Sequence, residues 1–290
     1  MDNHDAITPF TRRHTDDARP AQALSPFAEG IDVLAVHRFK NGQFTSVLDH
    51  VVRETPVALV YNGISHAVMM TTPTDLDVFA MGFSLSEGII PDLKALYSLD
   101  VQHTELGTQI DMTIASSAFA ALKEHRRMMV GRTGCGLCGI ESLQQFHTVL
   151  PLVTTEAKAD WLNQIPDAVS KLEAQQEITK VTGGAHAAAW VVDGNIVALF
   201  EDVGRHNALD KLLGYLAQQQ LDVSAGFIVM TSRASYELIR KCAQLNIALL
   251  ASISAPTTMA IRMAKQAGLT LASFCRGSSF VVYTDYPDVF

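Results

Sequence analysis

From residue 180 to the carboxyl end the sequence alternates apolar runs of strand length with amphipathic runs of helix length, and few architectures accommodate that rhythm. GFIVMTS, IALLASIS, LTLASFC and FVVYT read as strands, with SYELIRKCAQLN and TTMAIRMAKQAG as helices among them. Parallel strands need a crossover of a dozen or more residues, which each helix supplies. Ahead of them, TGGAHAAAWVV and NIVALFEDV read as two strands joined at Asp193-Gly194, a hairpin dipeptide. RHNALDKLLGYLAQQQ then sets Leu209, Leu212, Leu213 and Leu216 on one helical face. The expected class is α/β, a sheet covered by helices and built on parallel βαβ units.

The amino-terminal half is less regular, making the chain α+β overall. Residues 1–28 are polar and broken by Pro9, Pro20 and Pro26, which suggests a mobile arm. IDVLAVHRF, TPVALVYNG and, after the Asn62-Gly63 turn, ISHAVMMTT suggest an antiparallel β unit. In TPTDLDVFAMGFSLSEGII, Leu76, Phe79, Ala80 and Phe83 recur at helical spacing. That predicts an amphipathic helix over 75–87, with Thr74 and Asp77 as a capping pair and Gly88 closing it. Strands are expected at 96–103 and 109–115, then a basic helix AFAALKEHRRMMV, and later one or two helices over 156–178 interrupted at Pro166. The expected divisions are an arm (1–28), a smaller β-rich part (29–125), a basic segment (126–150) and an α/β domain (151–290).

A net charge of −8 weighs against a nucleic-acid partner, which usually selects a basic surface. No apolar run has the length of a membrane span, and the first twenty residues lack the apolar core of a signal peptide. Four cysteines in 290 residues do not suggest a disulfide scaffold, so the expected setting is the reducing cytoplasm.

Three strands of the carboxy-terminal half run into small polar residues just before a helix. One end holds Arg205 and His206, a second Ser232 and Arg233, and a third runs Ser252-Ile253-Ser254-Ala255-Pro256-Thr257-Thr258. Ligands of open α/β sheets bind beyond the carboxyl ends of strands, where helix N-termini offer free N–H groups to anions. With Arg276 added, a phosphate-bearing ligand fits this pattern, although each small polar residue could also serve only as a helix cap. GxxxxGK[ST] does not occur, so a P-loop is absent.

GRTGCGLCG, at 131–139, holds Cys135 and Cys138 in a backbone too rich in glycine for a packing role. Structural zinc needs four ligands, and within one chain Cys242 and Cys275 are lone residues elsewhere; two such loops meeting in a dimer could still supply four thiolates. Dithiol–disulfide exchange suits the spacing, yet the glycines disfavour the helix N-terminus on which such pairs sit. A sulfur relay needs a thiolate with access and reach. Lys123, Arg126, Arg127 and Arg132 against Glu124 supply a positive field that favours thiolate. Residue chemistry alone leaves relay and exchange both open.

GRTGCGLCG, TPTDLDVFAMGFSLSEGII, TGGAHAAA, EDVGRHNALDKLLG, TSRASYELIRK, SAPTTMAIRMA and FCRG, in this order, resemble the FdhD family over about residues 30–285. The resemblance implies a sulfur carrier required for formate dehydrogenase. A cysteine desulfurase would load Cys135 as a persulfide, with Cys138 assisting or resolving it. The acceptor would be the molybdenum cofactor, a bis-molybdopterin guanine dinucleotide that a guanine nucleotide such as GDP would mimic. The family's cofactor-binding stretch falls on Phe274, Cys275, Arg276, Gly277, Ser278 and Ser279. The resemblance also implies a three-layer, cytidine-deaminase-like carboxy-terminal domain and a homodimer. The deaminase signature, H-x-E with P-C-x-x-C, is missing, so no bound metal and no deamination are expected.

Overall fold

The computed structural model describes residues 30–129 and 150–284, so the arm expected over 1–28 and the stretch carrying Cys135 and Cys138 lie outside the described residues. The chain opens with a hairpin of β1 (Ile31–Lys40) and β2 (Gln43–Val52). β3 (Thr55–Tyr61), β4 (Ile64–Thr71), β5 (Leu96–Thr104) and β6 (Gly107–Ile114) form a second sheet in the order β4-β3-β6-β5. The antiparallel unit expected here is therefore two sheets. β1 pairs with β2 across Asn41-Gly42, whose φ angles of 53° and 82° suit a tight hairpin turn, and not with β3.

α1 (Leu76–Ser86) and α2 (Ser116–Met129) follow β4 and β6. The amphipathic reading of α1 needs correction: every residue except Asp77 is buried. A helix apolar all round belongs between two packed layers, and α1 lies between the second sheet and α5 (Arg205–Gln218). The Thr74 cap does not form either. The N-cap is Asp75, with no side-chain cap bond, and Thr74 Oγ1 instead accepts from Lys211 Nζ at 3.4 Å.

Beyond residue 150 come α3 (Ala159–Gln175), α4 (Glu177–Thr182), β7 (His186–Val192) and β8 (Asn195–Asp202). After α5 follow β9 (Gly226–Met230), α6 (Tyr236–Gln244), β10 (Leu249–Ser252), α7 (Thr258–Ala267), β11 (Thr270–Arg276) and β12 (Ser279–Val282). The sheet runs β12-β11-β10-β9-β7-β8, with β9, β10 and β11 parallel and β7 and β12 antiparallel to their neighbours. Ala188, Trp190, Ile228, Met230 and Leu250 face α5, α6 and α7, while Ala187, Ala189, Val191, Phe227 and Val229 face α3. Burial on both faces makes the strands continuous apolar runs, which is why they stand out in the sequence. The three layers of the α/β expectation are present.

α3 runs unbroken through Pro166, contrary to the interruption expected there. A proline inside a helix costs about 3 kcal/mol. Trp161, Leu162, Ile165, Ala168, Val169 and Leu172 bury one face of α3 on both sides of it, at roughly 1.5–3 kcal/mol for each large side chain. Packing wins. Among the described residues no helix is long and apolar enough to cross a membrane.

Two ionic networks tie the halves together. Lys241 Nζ lies 2.9 Å from both carboxylate oxygens of Asp210, 2.9 Å from Ser86 Oγ and 2.7 Å from Glu87 Oε1. Lys211 Nζ lies 2.8 Å from Asp202 Oδ2, both side chains fully buried, and Asp202 also accepts from Thr72, Gly204 and Asn207. Burial pushes the Glu87 carboxyl up, but Lys241 and Arg240 outweigh it and hold it at about 2. A carboxylate lowered by folding stabilises above its unfolded value of 4.5 and loses that contribution as pH falls through the folded one. Thermal unfolding should therefore show stability declining from about pH 4.5 towards pH 2. Glu87→Gln, weaker at neutral pH, should lack that component of the decline.

Candidate functional site at the carboxyl edge of the large sheet

β9, β10 and β11 end at one edge of the sheet, and β8 ends there too because two antiparallel steps return it to the direction of β9. The turns beyond these ends are stitched together. Ile253 N–H donates to the Met230 carbonyl (2.9 Å), Ser252 Oγ to that of Ser232, and Thr257 N–H to that of Ala234 (3.0 Å). Phe274 N–H donates to the Ser254 carbonyl (3.2 Å), and Arg276 Nε to that of Ile253 (3.2 Å). Arg205, His206, Ser232, Arg233 and residues 274–279 therefore share one edge, with His186, the first residue of β7, among them.

The capping alternative can be examined helix by helix. Thr257 caps α7, its hydroxyl accepting from Ala260 N–H at 3.2 Å. α5 starts at Gly204 and α6 at Ser235, and neither has a side-chain cap bond. Asn207 is used otherwise, donating to the Met70 carbonyl (2.7 Å) and to Asp202 (2.9 Å). The start of α5 thus lacks a side-chain acceptor that would compete with an anion for its first N–H groups, whereas the Glu237 carboxylate stands in the first turn of α6.

Arg205 and His206 open α5. Arg205 Nε is buried without a hydrogen-bond partner among the described residues, a costly state for a donor unless a ligand completes it. His206 Nε2 faces Glu237 Oε2 at 3.6 Å, an ion pair when the imidazole is protonated. Burial pushes Glu237 up, yet the neighbouring His206 and Ser235 outweigh it and hold the carboxyl at about 2. His186 is lowered by burial and then by the nearby Arg205 and His206. Sequence reasoning missed Glu237; an acid in the first turn of a helix reads as an ordinary match to the helix dipole.

In the turn between β11 and β12, a register shift between Ser273 and Arg276 accompanies Phe274 at φ 55°, a left-handed conformation that costs a non-glycine residue about 1–2 kcal/mol. Phe274 is exposed and Cys275 is buried. Arg276, Gly277, Ser278 and Ser279 are all exposed. Ser232 is buried, and its hydroxyl donates to the Arg233 carbonyl at 3.1 Å, leaving Arg233 as the exposed member of that pair. Exposed arginines, serines and an aromatic ring suit an anionic ligand with planar heterocycles, while Cys275 offers only its backbone. Glu201 orients structure: its carboxylate accepts the N–H groups of Ile178 (2.8 Å) and Thr179 (2.9 Å) at the start of α4.

Burial pushes both described thiols, Cys242 and Cys275, up to about 12. Neither is a thiolate near neutral pH, and the other two cysteines, Cys135 and Cys138, lie outside the described residues. The arginines at 126, 127 and 132 lie outside the described side chains, and Lys123 Nζ stacks over the Phe119 ring at 4.6 Å.

The FdhD/NarQ family model matches residues 52–289. The chain belongs to the FdhD/NarQ family. A relative in Acinetobacter baylyi, "Sulfur carrier protein FdhD", is 56% identical over 280 residues, covering 97% of this chain and all of that one. The protein of the same name in Chromobacterium violaceum is 50% identical over 260 residues, 88% of this chain and 96% of its own. Among solved structures, a formate dehydrogenase accessory protein of Desulfotalea psychrophila superposes with a TM-score of 0.67 at 21% identity, over 88% of this chain and 97% of that one. That likeness supports the fold of this FdhD/NarQ member.

Proposed function

We propose that the chain is a cytoplasmic sulfur carrier serving formate dehydrogenase. It takes sulfur from a cysteine desulfurase as a persulfide on Cys135 and passes it to the molybdenum cofactor. The observation that carries this reading is identity of 56%, over nearly the whole of both chains, to a protein named as a sulfur carrier. The buried state of Cys242 and Cys275 supports it by removing both as competing nucleophiles.

In the loading step the Cys135 thiolate attacks the outer sulfur of the desulfurase persulfide. The old S–S bond breaks, a new one forms on Cys135, and the desulfurase thiolate departs with the electron pair. In the delivery step Cys138 attacks Sγ of Cys135, and the outer sulfur leaves as sulfide with the electrons of the broken bond while an intrachain disulfide forms. A Cys-x-x-Cys spacing permits that disulfide, and cellular thiols reduce it for the next cycle.

The acceptor is held at the carboxyl edge of the large sheet. Arg205, Arg233 and Arg276, with the uncapped start of α5, meet its phosphates; Ser278 and Ser279 add hydroxyls, and the exposed Phe274 ring stacks on a planar heterocycle. Cys275 contributes through its main chain. Guanosine diphosphate, as one arm of the bis-guanine dinucleotide, occupies the same edge, and two copies of the chain assemble as a homodimer.

Incubation of the full chain with a cysteine desulfurase and cysteine, followed by intact-mass measurement, tests the loading step. The expected product is heavier by one sulfur atom and returns to its starting mass with reductant. An unchanged mass overturns the reading.

A further inference from the structure

The β1–β2 hairpin is two-faced, and the division follows from its register. Direct cross-strand pairing places Val33, Ala35, His37 and Phe39 beside His50, Leu48, Ser46 and Phe44 on one side of the ladder. The other side carries Asp32, Leu34, Val36, Arg38 and Lys40 with Val51, Asp49, Val47, Thr45 and Gln43, so its apolar residues alternate with charged ones. All four charged side chains of β1 and β2 fall on that second side, where Arg38 pairs with Asp49 at 3.7 Å and Asp32 with Arg53 beyond the strand. The first side has no acid, lysine or arginine, yet it stands in water: Val33 is 54% exposed, Phe39 61%, Leu48 70% and Phe44 73%.

Among the described residues only the base of the hairpin is anchored. A Cβ on Gly30 would sit 3.1 Å from Ile178 Cδ1 of α4, and one on Gly184 would sit 2.8 Å from Val52. A two-stranded ladder alone in water is marginal, and a single-sided apolar stripe of this length calls for a second layer about 10 Å above it.

We propose that this uncharged side of the β1–β2 hairpin is the contact through which two copies of the chain assemble, stacked face to face about a twofold axis. Charge favours a second copy as the occupant. The whole chain carries −8, so two copies repel in general, whereas β1 and β2 hold two acids against two bases and keep all four off the contact side. Area agrees. With roughly 150–250 Å² per aromatic side chain, Phe39 and Phe44 alone leave about 200–330 Å² in water. The full stripe adds Val33, Ala35, Leu48 and two histidines, approaching the ~800 Å² that each partner gives to a standard interface. Geometry agrees as well, because a twofold axis brings the same residues of both copies together, and the Phe39–Phe44 pair at the tip, 5.0 Å between ring centroids, would interleave with its symmetry mate.

The inference names the surface behind the self-association included in the proposed function and depends on no step of sulfur transfer. Sedimentation equilibrium on the full chain tests it with the double variant Phe44→Ser/Leu48→Ser, the single variant Phe39→Ser, and Leu34→Ser on the charged side. The wild type should be a dimer. The double variant should raise the dissociation constant by about 100-fold or more, and Phe39→Ser by a smaller factor. Leu34→Ser should leave it unchanged, and all variants should keep the wild-type circular-dichroism spectrum, since the altered residues are exposed in the single chain. A dimeric double variant as tight as the wild type overturns the surface and leaves the sulfur-carrier reading untouched. A monomeric wild type overturns both surface and dimer, and would direct attention to residues 1–29 or a different protein as the cover.

Discussion

Gly82→Ala should cost the protein more than about 3 kcal/mol of stability, read as a large fall in melting temperature or as loss of soluble material. A Cβ on Gly82 would stand 1.8 Å from the Asp210 carbonyl oxygen and 2.7 Å from the Gly214 nitrogen. A Cβ on Gly214 would stand 1.9 Å from the Val78 carbonyl oxygen. These obstacles are backbone atoms, so no rotamer change relieves them; α1 and α5 would have to separate. Separation would loosen the buried Lys241–Asp210 and Lys211–Asp202 pairs on either side, whose disruption is expensive because it strands charges away from water. Gly214→Ala should act alike, and the double substitution should cost less than the sum of the two, since both open one contact. Gly30→Ala is the control: its Cβ would meet only the flexible end of Ile178, at 3.1 Å, and should cost less than about 1 kcal/mol.

Cys135→Ala should abolish activation of formate dehydrogenase in cells that depend on this chain, with fold and affinity for guanosine diphosphate unchanged. The separation is expected because the proposed nucleotide contacts lie at the sheet edge, to which Cys135 does not belong in sequence, whereas neither described thiol can replace it. Cys242 and Cys275, at about 12, are protonated at cellular pH. Cys138→Ala should still load sulfur and fail at delivery, and that split distinguishes a relay from its rivals. A chaperone that moves the cofactor without sulfur would tolerate loss of both thiols. A dithiol oxidoreductase would fail with either variant and would show a reversible disulfide without added sulfur mass.

The strands and helices of the large sheet are legible in sequence because burial on both faces imposes unbroken apolar runs on β9, β10 and β11. β2 is not: QFTSVLDHVV mixes polar and apolar residues because its apolar side meets no layer among the described residues, so only the Asn41-Gly42 turn signals it. α1 reads as amphipathic and is buried nearly all round, since a sequence window cannot show that a second layer, α5, closes over its far side. Pro166 marks a break by local rules and loses to the packing of α3. At the candidate site, the strand-end rule groups Arg205, His206, Ser232, Arg233 and Arg276, and the structure sets them at one edge because chain order places successive parallel strand ends together. It could not find Glu237, whose meaning depends on His206 lying 3.6 Å away across two helix starts.

The most direct test follows the sulfur itself. The chain is loaded with radiolabelled sulfur from cysteine by a desulfurase, freed of the desulfurase, and mixed with cofactor and inactive formate dehydrogenase. Label should leave Cys135 and appear on the cofactor extracted from the activated enzyme. Activation with the label still bound to the chain, or with no label on the cofactor, would contradict the account.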